Sequence, residues 1–309
     1  MKTSLLQFAP KVSFWLIIMC LIPIHLSGQA NYPPDITCSK EVVYKSIDTV
    51  DLKLWIFNPP NHSPESASPA IVFYFGGGWN GGSPAQFIKQ AEYLAARGMV
   101  AMLADYRVAS RNHVKMNSCV ADAKSSIRWV REHAGELGVD PHRIAAGGGS
   151  AGGHLAAATD LLPKFDEPGE NPDVSSQPNA LVLFNPVLVL APIGNDYPAE
   201  YSEWLEKLSE RFGTAPKDIS PYHHIVKGLA PTIIFHGAKD KTVPYISVEA
   251  YTNEMTRAGN HCILVGYKNA GHGFFNYGRN NNGAFVSTVS RMDEFLVNLD
   301  WLEALPEVL

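Results

Sequence analysis

The sequence predicts an α/β fold: one mostly parallel, eight-stranded sheet with helices on both faces. Three observations lead there. Eight short β-forming runs are spread along the chain. From residue 70 onward they alternate with segments whose apolar residues recur every three or four positions. Those later runs are continuously apolar, as strands covered on both faces are.

Val42 to Ser46 and Leu52 to Phe57 flank Ile47-Asp48-Thr49 and read as a hairpin, an antiparallel edge of the sheet. Asn58 to Pro69 holds four prolines with Ser and Asn, so it is a loop. Ala70 to Phe75 is the third strand. Ser83-Pro84 opens a helix as N-cap and first helical residue, with Phe87, Ala91, Leu94 and Ala95 on one face and Gly98 as its stop. Met99 to Ala104 is the fourth strand. A long helix is expected from about Ser118 to Leu137, on Ala123, Ile127, Val130, Ala134 and Leu137; Gly138 ends it and Asp140-Pro141 turns the chain. Arg143 to Gly147 is a strand, and Ala151 to Leu162 a helix of small residues. Leu181 to Phe184, Thr232 to Phe235 and Cys262 to Gly266 are the last strands. Helices from about Val248 to Arg257 and Thr288 to Leu302 complete the series. Asn185 to Pro231 separates two strands by 47 residues and contains a helix at Pro198 to Phe212. It reads as a short cap-like excursion over the sheet top rather than a second domain.

Composition narrows the function classes. At 46% hydrophobic and 18% charged, the 309-residue chain is globular rather than disordered. The balance of 25 − 30 = −5 gives no basic face for nucleic acid. Residues 1–30 read as a secretory signal peptide: Lys2 and Lys11, the apolar run Phe14 to Ile22, then Ser27-Gly28-Gln29-Ala30 with small residues before a cut after Ala30. The apolar run is shorter than the ~20 residues of a membrane span, so no stable membrane association is expected. Residues 31–309 form the single domain, secreted or periplasmic, with a charge of 23 − 30 = −7. Four cysteines are too few for a disulfide scaffold, and no CxxC pair suits zinc. Of the three in the exported chain, Cys38, Cys119 and Cys262, one pair is possible and its identity is open; Cys262 in its apolar run reads as a buried thiol.

Gly147-Gly148-Gly149-Ser150-Ala151-Gly152-Gly153 lies between a strand and a helix. Within it, Gly148-x-Ser150-x-Gly152 has the pattern of a strained turn that lifts a serine above the sheet edge, with glycines where strand and helix approach closely. A serine nucleophile needs a base from the same edge. His272, after the last strand, fits; His154 on the elbow helix and His236 at a strand end read as structural, and the His223-His224 pair in the excursion is the one rival. The imidazole needs an acid, and Asp240 follows the seventh strand, with Asp196 and Asp218 as fallbacks. Phe75-Gly76-Gly77-Gly78-Trp79 follows the third strand, where backbone N–H groups stand clear of side chains. The Gly77 and Gly78 amides, with that of Ala151, are the expected oxyanion hole. Trp79 is the candidate substrate contact, its flat face offered to a sugar or feruloyl ring. No metal or organic cofactor is implied.

The order Ser150, Asp240, His272 and the strand placement of each part resemble an α/β-hydrolase of the bacterial carboxylesterase type, related to hormone-sensitive-lipase-like esterases. Most similar are the secreted acetyl and feruloyl esterases that act on plant polysaccharides. The likeness covers about Val42 to Leu302. Phe75 stands where the lipase-like family has His, and Gly149 where it usually has Asp. His236 to Pro244 is more similar to the acid loop of prolyl-oligopeptidase and dienelactone-hydrolase relatives. The resemblance implies a serine carboxylic-ester hydrolase for short acyl esters, acetyl or feruloyl groups on plant polysaccharide or oligosaccharide. A general short-chain carboxylesterase is the alternative. A prolyl-oligopeptidase-like peptidase fits less well, because no propeller domain fits in 279 residues. A non-catalytic binding module would not keep the whole set, and the polar, proline-broken excursion does not read as a lipase lid. The expected partner is a small ester or an acylated saccharide, its alcohol and acyl groups unspecified.

Overall fold

A computed structural model describes residues 32–194 and 199–306; the leader segment 1–30, Asp196 and Tyr197 lie outside the described residues. Eight strands form one sheet in the order β1-β2-β4-β3-β5-β6-β7-β8. They are β1 (Lys40–Ile47), β2 (Val50–Phe57), β3 (Ser68–Tyr74), β4 (Val100–Ala104), β5 (Val139–Gly149), β6 (Ala180–Phe184), β7 (Thr232–Gly237) and β8 (Cys262–Tyr267). The β1–β2 and β2–β4 pairs are antiparallel and all others parallel, so the hairpin forms the edge its sequence predicts.

The inner parallel strands bury both faces, with β8 at the edge only half-buried, and their side chains alternate between two cores. Ala70, Val72 and Tyr74 of β3 join Leu181 and Leu183 of β6 on one side. The helices there are α3 (Met116–Glu132), α4 (Ala151–Leu161) and α6 (Tyr245–Arg257). Ile71 and Phe73 join Val182 and Phe184 on the other, under α1 (Ile88–Ala96) and α7 (Gly283–Asn298). Each large apolar side chain so buried contributes about 1.5–3 kcal/mol. A one-turn helix, α2 (Ala109–Asn112), was not foreseen.

Element ends depart from expectation for local reasons. The Ser83 side chain accepts from the Ala85 N–H as expected, but the first turn, Pro84–Phe87, is a 3-10 turn and α1 follows it. Helix α3 stops at Glu132, five residues early, where His133 stacks on Trp129 and the chain tightens through the Val139 N–H to Ala134 bond. Strand β5 starts before Asp140-Pro141, because the register shifts between Ser68 and Ala70 and the proline's missing N–H falls in that bulge. Helix α7 ends at Asn298, not Leu302. Asp300, at φ 57°, stands in the left-handed position usually held by glycine. Its N–H bonds Val297 and the Trp301 N–H bonds Leu296, closing the helix. Cys38, Cys119 and Cys262 are all free thiols.

The 185–231 excursion carries α5 (Ala199–Ser209) and two 3-10 turns, Pro216–Ile219 and Pro221–His224. Its base is pinned. The Leu190 N–H donates to Ser220 Oγ at 2.9 Å and the Tyr222 N–H to the Leu188 carbonyl at 2.9 Å. The Met116 and Asn117 N–H groups of α3 bond the Arg211 and Phe212 carbonyls.

Candidate active site

Ser150 stands between β5 and α4 at φ 55°, ψ −117°, a conformation that costs a non-glycine residue about 1–3 kcal/mol. The surroundings hold it there: its N–H donates to Phe184 at 2.9 Å and its carbonyl accepts from His154 at 3.0 Å. Gly152 is required by contact. A Cβ at that position would lie 2.0 Å from the Tyr74 carbonyl oxygen, so only glycine lets α4 start so close to β3.

His272 Nε2 lies 3.0 Å from Ser150 Oγ, and His272 Nδ1 lies 2.7 Å from Asp240 Oδ2. Asp240 Oδ1 accepts from the Thr242 and Val243 N–H groups at 2.8 and 2.9 Å. Burial by itself would raise the Asp240 pKa; the His272 hydrogen bond and the two backbone donors outweigh it and hold the carboxyl below its usual range. The three residues expected to act together are therefore brought into one hydrogen-bonded line at the C-terminal edge of the sheet. Of the fallback acids, Asp218 pairs with Lys164 at 3.2 Å. His223 is held by Ser220 Oγ and His224 by the Lys217 carbonyl, so both serve the excursion's own turns. His236 Nε2 donates to the Val243 carbonyl at 2.9 Å, and the residue is fully buried.

The glycine loop after β3 faces Ser150. Gly77 sits at φ 134°, where a Cβ would be 2.2 Å from the Gly81 carbonyl oxygen. The Gly76 N–H donates to Gln86 Oε1 at 2.6 Å, whereas those of Gly77 and Gly78 bond no acceptor among the described residues. Ala151 is the first residue of α4, whose N–H a helix leaves without an internal acceptor. These are the amides expected to form the oxyanion hole. Phe75, at the position of the family's His, stacks on Tyr106 with ring centroids 4.1 Å apart, and the Tyr106 hydroxyl donates to its carbonyl.

Trp79 corrects an expectation. The residue is only 4% exposed, and its indole N–H donates to His154 Nδ1 at 3.2 Å. His154 Nε2 in turn donates to the Ile219 carbonyl at 2.8 Å, and burial lowers its pKa to about 4. The neutral imidazole thus joins glycine loop, elbow helix and excursion. Trp79 borders the cavity as wall and has no open face for stacking, because the oxyanion turn folds it inward at φ 56°. Tyr201 is likewise buried, its hydroxyl bonded to Val189, while Trp204 lines the cavity.

The cavity over Ser150 measures about 400 Å³. Sequence reasoning missed three amides in its wall. Gln86 Nε2 donates to Asn276 Oδ1 at 2.9 Å, and Asn276 Nδ2 donates to the Gly273 carbonyl at 2.9 Å. Asn185 Oδ1 accepts from the Gly273 N–H at 2.9 Å. One polar chain therefore runs from the glycine loop through the histidine loop to the end of β6. Asn185 had a legible signal, as the first residue past a strand at this edge; Gln86 and Asn276 had none. A larger concavity, about 810 Å³, lies at the opposite edge, where the Arg131 guanidinium is already taken by the Pro141, Ser175 and Gln177 carbonyls.

The chain matches the BD-FAE family model over residues 54–255 and the dienelactone hydrolase family model over residues 211–301, which include the acid loop. Apo Thermogutta terrifontis esterase 2 is 54% identical, with a TM-score of 0.85 over 89% of this chain and 100% of that one. The same esterase with propionate bound is 54% identical, with a TM-score of 0.84 over 89% and 99% of the two chains. Esterase LipC of Mycobacterium tuberculosis is 30% identical over 68% of this chain and 54% of its own length. The chain spans about half the length of the curated relatives it matches. The fold is that of the α/β-hydrolases.

Proposed function

Because the chain belongs to the BD-FAE family, we propose that it is a serine carboxylic-ester hydrolase in which Ser150, His272 and Asp240 form the catalytic triad. The observation that carries this is the unbroken Ser150–His272–Asp240 hydrogen-bonded line, at 3.0 and 2.7 Å. Ser150 Oγ attacks the ester carbonyl while His272 Nε2 takes its proton. Asp240 accepts the Nδ1–H, holds the reactive tautomer and stabilises the imidazolium. The developing oxyanion takes hydrogen bonds from the Gly77, Gly78 and Ala151 amides, each worth about 3–4 kcal/mol. His272 then protonates the departing alcohol, and water activated by the same nitrogen frees the acid.

A short acyl group is favoured by the modest cavity, about 400 Å³, and by relatives with propionate and butyrate bound. Acetyl or feruloyl groups on plant saccharides are the natural esters in this reading, and export through residues 1–30 brings the enzyme to them. The burial of Trp79 favours a second reading, a general short-chain carboxylesterase with no aromatic sugar platform at that position. Ser150→Ala should lower kcat by on the order of a million-fold with the fold intact. A fluorophosphonate should label Ser150; labelling at another residue defeats the assignment. Release of acetate or ferulate from xylan-derived oligosaccharides separates the two substrate readings, and a mature N-terminus at Asn31 tests export.

A further inference from the structure

The cavity over Ser150 is charged in a way the whole chain is not. The chain carries a formal −5, yet among the described residues the ionisable charges fixed in the cavity wall besides His272 are two guanidinium groups, Arg211 and Arg279. No carboxylate lines it among the described residues, and Asp240 stands behind His272 with its side chain fully buried. Neither arginine is paired with a carboxylate among the described residues. Both are exposed and open to a ligand. They are also placed rather than scattered. Arg211 follows Trp204 and Leu208 of α5 in the turn just past the helix end, so this part of the excursion lines the cavity with an apolar body and a cationic end. Arg279 donates to the carbonyl of His272 itself at 3.2 Å, which ties it to the histidine loop.

We infer that this esterase selects substrates whose alcohol portion carries a carboxylate, such as acylated saccharides containing a uronic acid. The inference rests on the esterase reading above. Sheet order assigns the side. The oxyanion amides come from the loop after β3 and from Ala151, while Arg279 rides on the loop after β8, three strands beyond β5. The acyl carbonyl is held at the first place, and His272 delivers its proton to the alcohol oxygen at the second. A planar, permanently charged guanidinium is the group that binds carboxylate in a two-pronged fashion.

The test compares three acetate esters: 4-acetoxybenzoate, its neutral methyl ester, and 4-acetoxy-N,N,N-trimethylanilinium. Each kcat/KM is divided by that ester's rate with hydroxide, to remove intrinsic reactivity. The wild-type enzyme should prefer the anionic over the neutral ester by on the order of tenfold at low salt, and reject the cationic one. The preference should shrink toward one near 1 M salt, where the screening length falls to about 3 Å. Arg279→Gln and Arg211→Gln should each reduce the anionic-to-neutral ratio, and the double variant should bring it to about one. The ratio is read on each active variant, so a general loss of activity cancels. A wild-type ratio near one, or a ratio that neither substitution moves, overturns the inference. A preference for mono-p-nitrophenyl glutarate over p-nitrophenyl butyrate, without one for 4-acetoxybenzoate, overturns its assignment to the alcohol. Absence of turnover of every ester would instead defeat the esterase reading itself.

Discussion

Gln86 is the residue through which the oxyanion loop is tied to the histidine loop, and its removal should be read mainly in kcat. Its Oε1 takes the Gly76 N–H at 2.6 Å and its Nε2 reaches Asn276 at 2.9 Å. Gln86→Leu removes both bonds while keeping a side chain of similar volume. Each is worth about 1 kcal/mol net, and Gly76 is half-buried, so water replaces its acceptor only in part. Complete loss of one oxyanion donor, about 2.7–4 kcal/mol, sets the ceiling. Loosening the neighbouring glycine amides should therefore slow kcat by roughly 10–100-fold, with KM changed less than about threefold, because the interaction strengthens in the transition state. Gln86→Glu keeps an acceptor for the Gly76 N–H and should retain more activity than the Leu variant. Steady-state kinetics with p-nitrophenyl acetate and the rate of fluorophosphonate inactivation should fall together. A cycle with Asn276→Leu should show coupling of about 1 kcal/mol. Additive effects, or a loss confined to KM with unaltered inactivation, would refute the view that Gln86 positions the oxyanion loop.

Two other residues allow sharper tests of charge. Asp240→Asn would present an amide N–H to His272 Nδ1 and trap the tautomer that cannot accept the serine proton, so kcat should fall by about 10⁴; near-native kcat/KM, with loss instead in Asp218→Asn or Asp196→Asn, identifies a different acid. Asp160 is buried and its pKa is raised to about 6 from an ordinary 3.8, chiefly by burial, with only the Ala230 N–H opposing. The native state keeps this proton when an unfolded chain has released it, so stability falls as pH rises from about 4 to about 6, by up to about 3 kcal/mol at 1.36 kcal/mol per tenfold change in proton affinity. Asp160→Asn should accordingly gain stability over wild type at pH 8 relative to pH 4 in urea titrations; an equal difference at both values removes the explanation.

The strand series, the elbow and the three triad residues were legible because each depends on local chemistry: apolar runs, close-approach glycines, and loops at one sheet edge. Termini were less legible where an unusual residue took a standard job, as Asp300 does at the end of α7. The interior of α3 was hidden for a different reason. Asp122, Lys124 and Arg128 are buried although their side chains look solvent-facing in the helical pattern. Lys45 and Arg107 satisfy Asp122, and Asp166 with Glu170 from the loop after α4 satisfies the two cations. Such pairing joins segments far apart in sequence, and no local periodicity reports it. Trp79 was misjudged likewise: its distant partner, His154, turns a surface-seeking ring into a wall.

The pinned base of the excursion makes that segment a cassette. Between the Leu190–Ser220 and Leu188–Tyr222 bonds, the chain leaves the sheet and returns at nearly one place, so residues 191–219 form a closed loop whose ends are set independently of its contents. Closing a loop of different length there changes its entropy only slowly with residue number. Transplanting the corresponding stretch from a related enzyme should therefore exchange the roof, including Trp204, Leu208 and Arg211, without disturbing the sheet. Besides the Arg211 and Phe212 carbonyls that take the α3 N–H groups, the join to respect is Ile219, whose carbonyl steadies His154 and through it the glycine loop. A graft that stops short of it keeps the catalytic floor of this protein and takes its selectivity from the donor.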